Sequence, residues 1–243
     1  MPFDQVPDEY IKRYGDATHE ELLTRPNVAA DERGDRARRD VKNYFAMVTG
    51  VDEHFARILK ALDEQDLKEN TIVVFTSDHG EMMGSHGLMG KSVWYEESMK
   101  IPLMVRWPGH IDPGTDDLLI GTADLTATLL SLTGHKNQIP EAMQGNDYAV
   151  GILGGEMERP SSALYLDTNP GWPEGGKRGV RTHRYTYVVE RSREGDECEI
   201  LHDNQEDPYQ LANVAGDREN VVSDLKGEME GWLRETGDAW IED

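Results

Sequence analysis

The sequence has 243 residues, long enough for one domain with a sizeable hydrophobic core, or for one domain with a small appendage. It contains 47 Asp and Glu residues against 25 Lys and Arg residues, which gives a formal net charge of -22 at pH 7. Such a surface repels nucleic acids and anionic membranes, so we expect neither as a partner.

The composition also bears on the salt concentration and the cellular compartment in which the protein works. An acidic, lysine-poor chain is typical of proteins that work in high salt, and an ordinary acidic soluble protein is the alternative. The single cysteine, Cys198, excludes an internal disulfide and a multi-cysteine metal site. No apolar run approaches the roughly 20 residues that span a bilayer. The first residues lack the basic segment and apolar core of a signal peptide, so we expect a cytoplasmic protein.

The first 62 residues predict an arm followed by a long helix. Residues 1–39 are polar and interrupted by prolines, which indicates an irregular or short-helical arm. Between Val41 and Leu62 the apolar residues recur at helical spacing. This spacing predicts an amphipathic helix whose apolar face packs on a sheet.

Two strands and a helix are expected next. Residues 71–75 form an apolar run without polar alternation, which predicts a strand buried on both faces of a parallel sheet. Residues 101–107 form a second apolar strand. A helix follows over residues 125–132, with Thr122 or Asp124 as its cap. This succession is typical of an α/β domain.

The pattern changes near residue 159. Short alternating stretches at residues 162–167, 177–190 and 197–202 predict a small antiparallel sheet. Residues 221–232 predict a final amphipathic helix. We therefore expect an α/β domain over residues 1–158, including the polar arm, and a small antiparallel subdomain with a terminal helix over residues 159–243.

Candidate site residues follow the strand at residues 71–75. Asp78 and His79 come directly after it, and a glycine-rich loop leads on to Lys91. Ligands of open α/β sheets bind outside the carboxyl ends of the strands. A carboxylate oxygen and an imidazole nitrogen can bind one cation, and the lysine ammonium can return to the same place. These residues indicate a site for an oxyanion; a turn closed by a local hydrogen bond is the alternative.

The same stretch resembles a known family. Residues 76–91 read Thr-Ser-Asp-His-Gly-Glu-Met-Met-Gly-Ser-His-Gly-Leu-Met-Gly-Lys, and with residues 95–109 they resemble the second signature block of the sulfatases. Sulfatases belong to the alkaline phosphatase superfamily, as do the phosphonate monoester hydrolases. Further matches follow in the family's order, at residues 44–59, 124–134, 179–188 and 207–215. The resemblance implies the C-terminal part of an alkaline phosphatase-like mixed sheet flanked by helices, plus a small antiparallel C-terminal subdomain.

The resemblance also implies roles for individual residues. Asp78 and His79 would bind one divalent cation. Family members usually bind calcium, and manganese or zinc is the alternative because imidazole suits those ions at least as well. Lys91 would neutralise a sulfuryl or bridging oxygen; a surface lysine is the alternative. His86 and His183 would contact the substrate.

The family's nucleophile has no counterpart in this sequence. It is a formylglycine hydrate, made from the cysteine of a Cys-x-Pro-x-Arg or Cys-x-Ala-x-Arg signature in the N-terminal half. Cys198 lies in Asp-Glu-Cys-Glu-Ile, without proline or arginine at those offsets, so we do not expect it to be catalytic.

The expected function is therefore metal-dependent hydrolysis of a sulfate ester by a chain that is inactive alone. It would supply the metal- and sulfate-binding residues. Its partner would be a separately encoded N-terminal half or a second copy of the chain. A non-catalytic module that binds an anion or a metal is one alternative, and a phosphate or phosphonate monoester hydrolase of the same superfamily is the other.

Overall fold

The computed structural model describes residues 3–241 and divides into two compact units, one ending at Gly109 and the other beginning at His110. The helices are α1 (Asp8–Ile11), α2 (His19–Leu22), α3 (Asp35–Glu64), α4 (Glu96–Met99), α5 (Asp124–Leu132), α6 (Ala149–Ile152) and α7 (Glu219–Thr236). The strands are β1 (Val73–Thr76), β2 (Leu103–Arg106), β3 (Ser162–Asn169), β4 (Trp172–Thr182), β5 (Tyr185–Arg191) and β6 (Glu197–Asp203).

The mixed α/β fold class agrees with the sequence-based prediction. The expected domain boundary after residue 158 falls inside the second unit, shortly before β3, and it stays a prediction of where the antiparallel subdomain begins. No helix within residues 3–241 is both long enough and apolar enough to cross a bilayer.

Helix α3 is the largest element of the first unit. It begins at Asp35, earlier than the predicted start at Val41. Its covered side includes Ala37 and Val41, which pack with Phe3 and Met83 in a small hydrophobic cluster. Because each covered apolar side chain contributes roughly 1.5–3 kcal/mol, this cluster fastens α3 to the residues that precede and follow it.

Part of the apolar face of α3 is exposed, which corrects the expectation that the whole face packs on the sheet. Val48, Val51 and Ile58 are 53%, 54% and 56% exposed. Phe55 does contact Phe75 of β1, with ring centroids 5.0 Å apart. The strands of the first unit have only four residues each, so they are too short to cover a helical face of this length.

The prediction that residues 71–75 belong to a parallel sheet is wrong within the described residues. β1 pairs with β2 in antiparallel register, with Val73 opposite Arg106 and Thr76 opposite Leu103. Every residue of β1 is partly exposed. The only α-helix between the two strands is the single turn α4, and a parallel pair requires a longer crossover connection.

The second unit contains a four-stranded antiparallel sheet in the order β3-β4-β5-β6. The predicted stretch at residues 177–190 is two strands, β4 and β5, joined by a turn at residues 183 and 184. Helix α7 covers one face of this sheet, as its amphipathic pattern requires. The contact buries Val180, Tyr187, Val189 and Leu201 of the strands against Val222, Leu225, Met229 and Leu233 of the helix.

Asp124 does not cap α5, contrary to expectation. It is the first residue of the helix, and no side chain caps that end. Its carboxylate accepts the backbone N–H groups of Gly121 and Asn146, both at 2.7 Å. Burial raises the pKa of Asp124, and these two hydrogen bonds offset only part of that rise. The residue therefore fastens the chain around Asn146 to the start of α5.

Candidate metal and anion site

Asp78 and His79 lie just beyond the carboxyl end of β1, and their side chains converge. His79 Nε2 lies 3.3 Å from Asp78 Oδ2. The Asp78 side chain is 81% exposed and that of His79 is 23% exposed, so the pair opens to solvent on the carboxylate side. The two predicted metal ligands therefore face one point instead of turning apart.

Hydrogen bonds around the pair fix its orientation. The Ser77 hydroxyl donates to the backbone carbonyl of His79 at 2.6 Å, and the His79 N–H donates to Asp78 Oδ1 at 3.0 Å. His79 Nδ1 lies 2.7 Å from the carbonyl oxygen of Gly80. Because a carbonyl oxygen only accepts, Nδ1 donates in this contact, and Nε2 is the ring nitrogen that faces Asp78.

This arrangement suits a cation. A lone pair on Nε2 that faces a carboxylate oxygen is repulsive unless a proton or a cation lies between the two atoms. A histidine that donates from its second nitrogen to a backbone carbonyl is also the usual arrangement of a metal ligand. Among residues 3–241, however, no group of three or more His, Cys, Asp or Glu side chains is placed to hold a metal ion. A metal site at Asp78 and His79 therefore stays a prediction, and it would need further ligands.

Gly80 holds the pair against α4. Its N–H donates to the carbonyl of Ser98 at 2.8 Å. A Cβ atom at this position would overlap the carbonyl oxygen of Glu97, so only glycine permits this close approach of two backbones. Gly80, the residue after the two candidate ligands, therefore anchors the end of β1 to α4.

The loop after Gly80 turns back on itself before it reaches Lys91. The Met82 N–H donates to the carbonyl of Gly90 at 2.8 Å, and the Gly84 N–H donates to the carbonyl of Leu88 at 2.8 Å. Gly84, Gly87 and Gly90 all have φ between 74° and 88°, which glycine adopts without strain. The glycines thus allow a compact loop whose two ends meet next to Lys91.

Lys91 itself is exposed, and no carboxylate within the described residues forms an ion pair with it. An unpaired ammonium group remains available for an external anion. The loop closure brings the backbone at Lys91 back toward the segment that carries Asp78 and His79.

His86 lies at the far end of the same loop, in a polar cluster. Its ring stacks on Tyr95, with centroids 3.7 Å apart and planes 10° apart. Its Nε2 lies 3.2 Å from the side-chain amide nitrogen of Asn27, which also donates to Glu97 at 2.7 Å. Arg25 forms an ion pair with the same Glu97 carboxylate at 3.2 Å. These contacts hold the ring in place, and a substrate role for His86 stays a prediction.

The protonation state of Glu97 follows from this cluster. Burial alone would raise the pKa of Glu97, but hydrogen bonds from Asn27 and Ser85, together with Arg25, lower it on balance. Glu97 is therefore ionised and accepts from its three neighbours. The sequence contained no sign of this role for Asn27 or Glu97, because their partners lie far away along the chain.

His183 lies in the second unit, exposed at the turn between β4 and β5. Its neighbour Arg184 binds Asp203 through both carboxylate oxygens, at 2.7–3.1 Å, which fixes the turn. A substrate contact by His183 stays a prediction.

Known families match nearly the whole sequence. Residues 2–135 match the Sulfatase family, and residues 84–235 match the family described as N-sulphoglucosamine sulphohydrolase, C-terminal. An endo-4-O-sulfatase of Bacteroides thetaiotaomicron is 38% identical, over 93% of this chain and 47% of its own length. The crystal structure of yidJ from Bacteroides fragilis superposes with a TM-score of 0.92 and 39% identity, over 98% of this chain and 52% of that one.

A phosphonate monoester hydrolase of Agrobacterium radiobacter is a more distant neighbour. Its TM-score is 0.69 at 26% identity, over 82% of this chain and 42% of that one. In each comparison this chain spans about half the length of its relative. The fold is thus that of alkaline phosphatase-like enzymes, and the chain belongs to the sulfatase family.

Proposed function

We propose that this chain contributes the cation- and sulfate-binding residues of a sulfate ester hydrolase. Family membership supports sulfate ester hydrolysis as the class of reaction. The residue assignments rest mainly on one observation, the 3.3 Å approach of Asp78 Oδ2 and His79 Nε2. Lys91, with an ammonium group that no described carboxylate neutralises, is the proposed anion contact.

Asp78 and His79 would hold a divalent cation together with further oxygen ligands. Calcium prefers oxygen ligands, whereas manganese and zinc also accept imidazole, so the carboxylate suits all three ions and the imidazole suits manganese or zinc at least as well. A cation bound here supplies positive charge to the sulfuryl oxygens and makes the sulfur more electrophilic. The contact of Nδ1 with the Gly80 carbonyl leaves Nε2 as the ring nitrogen that would bind the cation.

Lys91 would act on the substrate directly. Its ammonium group neutralises negative charge on a sulfuryl oxygen, or on the bridging oxygen as the bond to the leaving group lengthens. Preorganised charge of this kind lowers the barrier because it does not have to be rearranged during the reaction.

We propose that the attacking group lies outside these 243 residues, in a segment that carries the family's nucleophile signature. Cys198 lies exposed on β6 and does not match that signature. The chain alone is then expected to be inactive, because binding residues without a nucleophile do not split the ester.

Phosphonate monoester hydrolysis is the second candidate. The similarity to the Agrobacterium radiobacter enzyme favours it. The same cation ligands and the same ammonium group can bind a tetrahedral phosphonate as well as a sulfate, so this half of the site does not distinguish the two esters.

Turnover assays separate these proposals. The chain is assayed alone and mixed with the nucleophile-bearing half of a close relative, on an aryl sulfate and an aryl phosphonate. We expect activity only in the mixture, higher on the sulfate. Asp78→Ala or Lys91→Ala should lower kcat by about 100-fold or more, as when a transition-state charge contact is removed.

Lys100→Ala is the matched control, because Lys100 is exposed and pairs only loosely with Glu96, at 3.6 Å. It should leave turnover unchanged. Full activity of both site variants would refute the residue assignments. Faster turnover of the phosphonate would favour the second candidate, and binding of cation and sulfate without any turnover would indicate a non-catalytic module.

A further inference from the structure

The loop that leads to Lys91 closes where Glu81, at its start, meets Gly90, at its end. We call this closure the neck of the loop. The Gly90 N–H donates to Glu81 Oε1 at 2.6 Å. The Met83 N–H reaches the same oxygen at 3.3 Å. A single side-chain oxygen therefore ties the two sides of the loop together.

Gly90 has no side chain of its own to hold its backbone in place. A Cβ atom added there would have no heavy atom within 4 Å, so nothing packs on that side of this half-buried residue. Its φ is 83°, and Ser92, on the other side of Lys91, has φ 73°. Two residues with positive φ therefore flank Lys91, and the direction in which the Lys91 side chain leaves the backbone depends on how Gly90 is held.

Two hydrogen bonds fix Gly90 within the described loop. One joins its carbonyl to the Met82 N–H, and the other joins its N–H to the Glu81 carboxylate. The Met82–Gly90 bond alone would act as a hinge, because the backbone at Gly90 could still rotate about a single hydrogen bond. The second bond, on the opposite edge of the same residue, removes that freedom.

We propose that Glu81 is the positioning residue for Lys91, acting through Gly90; this role rests on the proposed function of Lys91. Glu81 acts by the geometry of its acceptor oxygen, which holds the loop neck closed. It does not act through its negative charge on the cation. The loop core is anchored separately, because Met83 and Met89 pack in the cluster with Ala37 and Val41.

Two conservative variants separate geometry from charge. Glu81→Gln keeps a carbonyl oxygen that can accept both N–H groups at the same reach, but removes the charge. Glu81→Asp keeps the charge but draws the acceptor back by about 1.5 Å, beyond hydrogen-bonding distance of Gly90. Geometric positioning requires the glutamine variant to resemble the wild type and the aspartate variant to fail.

The measurement is paramagnetic broadening of the lysine side-chain signals by Mn²⁺. The chain has nine lysines, so ε-¹³C labelling gives a simple spectrum in which Lys91→Arg identifies the Lys91 signal. In the wild type, Mn²⁺ bound at Asp78 and His79 should broaden this signal. Glu81→Asp should reduce the broadening by about fivefold or more, and Glu81→Gln should preserve it. Glu69→Ala, at an exposed glutamate outside the loop, is the control and should change nothing.

Each result has a defined meaning. Strong broadening in Glu81→Asp, or loss of it in Glu81→Gln, would overturn the role of Glu81. Loss of broadening in Asp78→Ala would still support the proposed function in that case. If the Lys91 signal never broadens, or broadens equally in Asp78→Ala, the proposed function itself fails. Independently of any variant, rapid hydrogen exchange of the Gly90 amide in the wild type would overturn the role of Glu81.

Discussion

Adjacent residues at the end of β1 form the candidate site because the backbone turns there. The Asp78 carboxylate accepts the next N–H along the chain, and the His79 ring donates to the next carbonyl. Both contacts are local, so the pair is set by three consecutive residues. Gly80 then permits the approach of α4 that anchors this turn to the rest of the first unit.

Gly80→Ala should therefore disturb the site without touching a ligand. The new methyl group would overlap the Glu97 carbonyl, and the Gly80–Ser98 hydrogen bond would have to open. We expect a loss of about 1–3 kcal/mol in the free energy of unfolding, typical of a forced steric overlap. Denaturant unfolding followed by circular dichroism measures it.

Gly227→Ala is the control for that substitution. Gly227 lies in α7 with nothing within 4 Å of an added Cβ, so alanine there should stabilise the chain by about 0.5–1 kcal/mol. A Gly80→Ala protein as stable as the wild type would show that the backbone contact with Glu97 is not required.

Sequence patterns identified the local part of this site but not the distant part. Asp78 and His79 are consecutive residues, so their covalent linkage alone keeps them close together. Asn27 meets His86 and Glu97 across 59 and 70 residues, and it comes from an arm without periodic pattern. No spacing rule connects such partners, since only the tertiary fold brings them together.

At the scale of elements, the apolar residues of α3 differ in burial along the length of the helix. Ala37 and Val41 are fully buried, whereas Val48, Val51 and Ile58 are each more than half exposed. The helical periodicity predicted the helix correctly but could not tell which apolar residues would be covered. Similarly, the apolar run of β1 predicted a strand but not the direction of its partner, because hydrophobic content does not encode pairing direction.

The exposed residues Val48, Val51 and Ile58 predict that the chain associates when it is alone. Replacing all three by glutamine should weaken self-association at least about tenfold, because each apolar side chain removed from water contributes roughly 1.5–3 kcal/mol. Sedimentation velocity over a range of concentrations measures the change. High salt should strengthen association of the wild type, since it screens the repulsion between chains of charge -22.

The matched control replaces Asp52, Ala56 and Ala61, exposed residues on the same helix, by glutamine. It should leave association unchanged. A wild-type chain that stays monomeric at every concentration would show that the exposed apolar residues of α3 do not drive association.

At the scale of the whole molecule, the chain belongs to the sulfatase family, and its reaction is a proposal. The chain matches sulfatases over nearly its full length but spans about half of each relative. Within residues 3–241, no third carboxylate or imidazole joins the two proposed cation ligands, Asp78 and His79. The proposed site would therefore need further ligands and a nucleophile from outside these residues.

The central claim is that Asp78 and His79 together bind one cation. Calorimetric titration of Ca²⁺, Mn²⁺ and Zn²⁺ into the wild type, Asp78→Ala and His79→Ala tests it directly, with Asp52→Ala and His54→Ala on α3 as controls. The account predicts one site in the wild type and in both controls. It also predicts affinity at least about tenfold lower in each site variant, the smallest loss seen when even a supporting partner of a metal ligand is removed. Equal affinity in the wild type and both site variants would contradict it.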